Sequence, residues 1–341
     1  MLRVEFSMHK RTKNNDTSGR YYPYLLTPVP FHFLIIISLP GETFKIFHFS
    51  LFTFHFSLIE MLSIQDLEKI AVQVRRDIVR MVNGASSGHP GGSLGCADFL
   101  VALYFKIMKP DPKQFTMDGV GEDIFFLSNG HLSALWYSVL ARYGYFGLKE
   151  LATFRKLDSR LQGHPANAEG LPGIRISSGS LGQGLSVAIG AALAKKLNND
   201  EHLIYCLLGD GELQEGQNWE ALMFAAGHKV DNLVAIVDCN GKQIDGPTDK
   251  VMPLGDLQTK FESFGWQVLT MYGNDMTGVV GTIKESQWFT GQGQPVVILM
   301  TTHMGFGVDF MMDNHEWHGV FPNDEQTKIA LAQLNETLGD Y

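Results

Sequence analysis

Residues 203–208 form an uninterrupted apolar run that ends in Gly209-Asp210-Gly211-Glu212, and a second run, residues 233–237, leads within three positions to Asn240. Runs of this length, with no charge inside them, read as buried strands. Between them Glu220, Ala221, Leu222, Phe224, Ala225 and Ala226 have helical composition, and Gly227-His228-Lys229 makes a helix end. Strand, helix and strand in succession form a right-handed crossover, which makes the two strands parallel. Asp210 and Asn240 then leave the sheet at the same carboxyl edge, where open α/β folds bind ligands.

A carboxylate and an amide oxygen at that edge are hard ligands suited to Mg²⁺ or Ca²⁺, and Mg²⁺ commonly completes its shell with phosphate oxygens and water. Gly209 and Gly211 let the backbone approach a phosphate closely. A lone Gly-Asp-Gly is more often only a turn; the flanking strands and the spacing to Asn240 are what favour a site.

Three more blocks follow the same pattern of glycine beside a polar residue: Ser87-Gly88-His89-Pro90-Gly91, Leu127-Ser128-Asn129-Gly130-His131, and Gly163-His164-Pro165 with Ser178-Gly179-Ser180-Leu181-Gly182-Gln183-Gly184. A single loop histidine is usually just solvated. Three in glycine-rich loops are better explained as a site, because histidine exchanges protons near neutral pH and hydrogen-bonds to hydroxyl and phosphate oxygens. Together with the Gly-Asp-Gly to Asn interval, these blocks resemble the transketolase family, and the resemblance covers about residues 61–335.

The resemblance implies thiamine diphosphate held through Mg²⁺ or Ca²⁺. It assigns Asp210 and Asn240 as metal ligands with the backbone carbonyl of Lys242 as a third, and places Gly209, Gly211 and Glu212 around the diphosphate. Gly179, Ser180 and Leu181 become the loop beneath the thiazolium ring. His89 and His164 face the sugar, and His131 lies near the diphosphate and the reacting carbon. In Asn314-His315-Glu316-Trp317-His318-Gly319, His315 is the preferred contact with cofactor and substrate. That segment is not a zincin motif, which needs two residues between the glutamate and the second histidine. Glu215 is implied at a contact between active-site halves, although a first-turn glutamate favoured by the helix dipole explains it equally well.

Beyond the site, residues 66–82 carry apolar positions at helical spacing with Arg75, Arg76 and Arg80 interleaved, an amphipathic helix with Ser63 as its cap. Residues 83–95 read as a loop, 97–108 and 131–143 as helices, and 123–127, 266–271 and 295–300 as strands. The middle of 274–288 and residues 324–334 read as helix, and Ala188, Gly190, Ala191, Ala192 and Ala194 let another element approach their helix closely. The expected class is α/β, three layers, a mostly parallel sheet with helices on both faces, which the resemblance refines to the diphosphate-binding type of thiamine-diphosphate fold.

Residues 61–341 carry 21 basic and 32 acidic side chains, a balance that argues against nucleic acid or an anionic membrane as partner. The three cysteines, Cys96, Cys206 and Cys239, lack paired spacing, which fits a reducing cytoplasm. Residues 1–60 stand apart, with 9 of the 23 phenylalanines and 2 of the 36 glycines. Their best apolar run, 33–39, falls short of the roughly 20 residues a membrane span requires. Met61-Leu62-Ser63 resembles the beginning of a transketolase-type chain, so the expectation is that translation starts at Met61.

In the resembled family a second α/β domain supplies the glutamate that activates the aminopyrimidine and most arginines for sugar phosphate; here about two dozen residues follow His318. The implied partner is therefore a separate chain, the carboxyl-terminal, pyrimidine-binding transketolase subunit, in an α2β2 assembly. The expected reaction moves a two-carbon ketol unit from a ketose phosphate to an aldose phosphate. The alternatives are a deoxyxylulose-phosphate synthase-like or 2-oxo acid enzyme, a specialised sugar-phosphate transketolase, and a non-catalytic subunit.

Overall fold

The computed structural model describes residues 62–341 and two short strands, β1 (Ile35–Ile37) and β2 (Lys45–Phe47), which pair antiparallel. The chain divides into two compact units, Met1–Ser57 and Leu58–Tyr341. The readings of residues 1–60, including the start at Met61, otherwise lie outside the described residues.

The second unit is built on five parallel strands: β3 (Ile124–Leu127), β4 (Ile204–Gly209), β5 (Leu233–Asp238), β8 (Gln267–Tyr272) and β9 (Val296–Thr301), in the order β3-β4-β5-β9-β8. Each apolar run became a strand, with ends one residue from those expected because polar terminal residues such as Asp238 and Thr301 still join the ladder. A two-residue hairpin pair, β6 (Lys242–Gln243) and β7 (Gly246–Pro247), follows β5.

Successive strand residues point to opposite faces, and both faces are covered. Leu127, Tyr205, Leu207, Ile236 and Ile298 pack with α1 (Ile64–Gly84), α3 (Ala97–Ala102), α4 (Ser133–Tyr143) and α9 (Met276–Phe289). Phe126, Cys206, Leu208, Ala235 and Val297 pack with α5 (Gly184–Leu197), α6 (Gly216–Gly227) and α8 (Leu257–Ser263). This is the expected three-layer α/β architecture. Among the described residues no helix is long and apolar enough to cross a membrane, and Cys96, Cys206 and Cys239 are all free.

Helix α1 starts where expected: Ser63 Oγ accepts from Asp66 N at 3.2 Å and Asp66 Oδ2 accepts from Ser63 N at 3.1 Å, a reciprocal capping box. Its arginines, however, do not form a solvated stripe. Arg75 is 3% exposed and bound to Asp98, and Arg76 is 8% exposed and bound to Asp340, so charged partners from both sides bury the helix.

Part of the expected loop 83–95 is helical, α2 (Pro90–Gly95). Pro90 at its first position presets φ, and tertiary bonds hold the glycine-rich turn: Gly91 O accepts from Gly305 N at 2.8 Å and Leu94 O from Arg75 Nε at 3.0 Å. Helix α3 passes into a wider π-helical stretch, Leu103–Met108, that ends at left-handed Lys109 (φ 47°) before Pro110. The single turn α7 (Thr248–Val251) and the helix α10 (Asp324–Gln333) complete the unit.

Candidate functional site

The carboxyl ends of β3, β4, β5 and β9 deliver Ser128-Asn129, Asp210, Asp238 to Asn240, and Thr302 to one edge, with Gly209, Asp238 and Met300 side by side in register. Asp210 is 5% exposed; its Oδ1 accepts from Gly211 N and its Oδ2 from Gly241 N, both at 2.7 Å. Gly241 follows Asn240 directly, so the two candidate ligands sit on loops that touch. Asn240 is half-buried, with Nδ2 donating to Asp238 Oδ2 at 2.7 Å and Oδ1 accepting from Lys242 N at 2.9 Å. Burial and then the charge of Asp238 push the Asp210 carboxyl up to about 7. Two buried acids this close favour a cation beside them, so the donor set fits a hard divalent ion.

Glu212 behaves differently from a ligand contact. It is 2% exposed, Oε1 accepts from Ser128 Oγ and, at 2.9 Å, from Gly182 N, and Oε2 accepts from Gly209 N at 3.1 Å. One carboxylate thus ties the end of β3, the loop before α5 and the end of β4, and burial raises its pKa. The backbone at Gly184 is part of the same clasp, since a Cβ there would meet the Ser128 side chain at 2.4 Å.

The loop histidines converge. His89 immediately precedes α2, His131 lies in the 3-10 turn Gly130–Leu132 before α4, His164 lies in the loop ahead of Gly179, and His318 ends the turn His315–His318. Ring centroids stand 5.2 Å apart for His89 and His131, 6.2 Å for His89 and His164, 5.9 Å for His89 and His318, and 5.1 Å for His131 and His318. Of the two histidines in the last turn, His318 makes these ring contacts; His315 makes none among the described residues. His315, the histidine preferred from sequence, stands outside this ring cluster, and spacing alone does not say which ring of the turn points inward.

Desolvation lowers all four. His89 is held down to about 4 by burial, then by His318, Arg155 and His164; His131 is held well below its usual value by burial and the other three rings; His164 and His318 are lowered chiefly by burial. Near neutral pH the cluster is uncharged and offers both donor and acceptor nitrogens. Arg155 supplies the positive charge: Nη1 donates to Ser87 Oγ at 2.7 Å, Nη2 donates to Gly163 O at 3.3 Å and stands 3.5 Å from His89 Nδ1.

Gly179 has φ +124°, and a Cβ on it would lie 2.8 Å from the His164 ring, so only glycine lets this loop pass the histidine. Ser180 is exposed and Leu181 half-buried beside it. Asn129 Oδ1, Ser178 Oγ and His318 Nδ1 are buried atoms without a protein partner, which is what a cradle for a polar cofactor looks like. Glu215 is exposed at the start of α6 and makes no capping bond. Arg155, Asp238, Asn129 and Ser178 were not singled out from sequence. Asn129 and Ser178 lie within the quoted blocks, whereas Arg155 and Asp238 stand outside them.

A family profile described as "Transketolase, thiamine diphosphate binding domain" matches residues 67–338. The chain belongs to the transketolase family. It is 38% identical over 276 residues to an apulose-4-phosphate transketolase subunit of Actinobacillus succinogenes, covering 81% of this chain and 98% of that protein. It is 37% identical over 272 residues to the 6-deoxy-6-sulfo-D-fructose transketolase subunit SqwG of Clostridium sp., covering 80% of this chain and 97% of that one. Among solved structures, transketolase from Leishmania mexicana superposes with TM-score 0.74 at 30% identity, and that from Campylobacter jejuni with 0.73 at 34%. The match covers 81% and 80% of this chain but 42% and 43% of those, so the chain spans about two fifths of the solved transketolases. This is the thiamine diphosphate-binding, amino-terminal part of a transketolase.

Proposed function

We propose that this chain is one half of a two-chain transketolase, transferring a two-carbon ketol unit between anionic sugars after α2β2 assembly with a pyrimidine-binding partner chain. The observation that carries the reading is the meeting of Asp210 Oδ2 with Gly241 N at 2.7 Å, which sets the Asp210 carboxylate against the backbone next to Asn240. Relatives that are themselves named transketolase subunits, matched over nearly their full length, support a separate partner.

Asp210, Asn240 and the Lys242 carbonyl would hold Mg²⁺ or Ca²⁺, and through it the diphosphate. Bound thiamine diphosphate supplies the carbanion chemistry that breaks and forms the carbon–carbon bond. The chain's own residues bind and orient. Uncharged His89 and His164 hold sugar hydroxyls, His131 and His318 face the reacting carbon and exchange protons there, and Arg155, which adds to the effect of burial on His89 and His164, offers a donor. His318 replaces His315 in this reading. Glu212 acts through the loops it ties.

The two relatives named for apulose 4-phosphate and for a sulfonated deoxyfructose support a specialised sugar over the pentose phosphates. Both names denote ketoses with an anionic terminal group, which is the substrate class proposed. The test is ketol transfer measured with the chain alone and after mixing with the product of the neighbouring reading frame. Turnover only in the mixture is expected; robust turnover by the isolated chain contradicts it.

A further inference from the structure

We propose that Asp238 is a positioning residue that holds both candidate metal ligands at once; this rests on the reading of Asp210 and Asn240 as those ligands. Asp238 closes β5, lies between Gly209 and Met300 in register, and is 1% exposed. Its carbonyl accepts from Asp210 N at 3.1 Å. Its carboxylate accepts from Asn240 Nδ2 at 2.7 Å, from Thr302 Oγ1 and from the Cys96 thiol. Donors from three elements, the loop after β5, the end of β9 and the start of α3, therefore converge on one acid.

The chemistry of those partners fixes a direction. A carboxylate only accepts, so it takes the nitrogen of the Asn240 amide and leaves Oδ1, the atom able to ligate a cation, on the other side. Oδ1 in turn accepts from Lys242 N at 2.9 Å, which orders the residue whose carbonyl is the third candidate ligand. Asp238 thus sets the flip of Asn240, the course of the chain to Lys242 and, through its own carbonyl, the placement of Asp210. Groups that orient ligands in this way typically contribute about 10–100-fold to metal affinity.

Asp238→Asn keeps shape and volume but can present a donor to the Asn240 nitrogen. In the assembled two-chain complex, retention of thiamine diphosphate is followed by tryptophan fluorescence as Mg²⁺ is titrated. The Mg²⁺ concentration for half-maximal retention is expected to rise about 10–100-fold, with cofactor affinity at saturating Mg²⁺ and sugar KM changed far less. Thr302→Val, which removes one of the donors, is expected to raise it about three- to ten-fold. Unchanged Mg²⁺ dependence in Asp238→Asn overturns the proposal, and if that variant does not assemble, unchanged dependence in Thr302→Val overturns it. Asp210→Ala in the same titration separates the two readings: if it abolishes retention while Asp238→Asn does nothing, the cation site stands and the role of Asp238 falls. If Asp210→Ala also changes nothing, the cation site itself is wrong.

Discussion

His131 and His318 stand with ring centroids 5.1 Å apart, although one lies in the turn before α4 and the other ends a turn beyond the last strand. His315, three positions earlier in that turn, shares none of these contacts among the described residues. Replacing His318 by alanine is expected to lower kcat/KM for ketol transfer by about 100-fold or more, the scale of a lost proton-transfer group. His315→Ala is expected to cost less than about five-fold, the scale of a single neutral hydrogen bond. Steady-state kinetics of the assembled enzyme decide between them, and the reverse ranking returns the role to His315.

The cluster also sets a pH dependence of stability. His89 is lowered to about 4 in the folded chain from an ordinary value of 6.5. Between those values the unfolded chain binds more protons than the folded one, so stability is fully present above about 6.5 and is lost as pH falls toward 4. Burial lowers His131 and His318 in the same direction. The Asp210 carboxyl, raised to about 7, acts with the opposite sign over the same window, so the test is a comparison: between pH 8 and pH 5 the thermal midpoint of His89→Leu is expected to change less unfavourably than that of the unaltered chain. An unchanged slope in that variant removes His89 from the explanation.

Glu212 gathers three donors in a site 2% exposed. Glu212→Ala leaves the Ser128 hydroxyl and the Gly182 and Gly209 amides without their acceptor, and is expected to destabilise the chain by about 3 kcal/mol or more. Glu212→Gln keeps an acceptor and is expected to cost less than half as much. Denaturant unfolding of the two variants checks the ranking.

Asp210→Ala removes one of two adjacent buried acids. Metal-dependent cofactor retention in the assembled complex is expected to weaken by about 100-fold or more, some 2.7 kcal/mol, while the unfolding midpoint of the chain alone does not drop. Calorimetric titration with thiamine diphosphate and Mg²⁺, beside a thermal melt, measures both. Unchanged affinity contradicts the ligand assignment.

The strands were legible because a parallel strand covered on both faces is written as a continuous apolar run, as in Ile204–Gly209 and Leu233–Asp238. The meeting of Asp210 with the Asn240 loop followed from that, since crossover handedness leaves one edge for both. Helix α2 was not legible: its glycines favour a loop, and long-range bonds from Arg75, Asn274 and Gly305 help to hold it. The burial of Arg75 and Arg76 depends on Asp98 and Asp340, whose proximity no local pattern announces. The histidine blocks were readable as loops, but which ring of the 315–318 turn faces His89, and that Arg155 joins it, is decided by packing between distant segments.

The cation site is tested most directly by a crystal structure of the assembled two-chain complex with thiamine diphosphate and Mg²⁺. The ion is expected at about 2.1 Å from an Asp210 carboxylate oxygen, Asn240 Oδ1 and the Lys242 carbonyl, bridging to the diphosphate. An ion bound elsewhere, or Asp210 and Asn240 both outside its coordination shell, contradicts the assignment on which the proposed function rests.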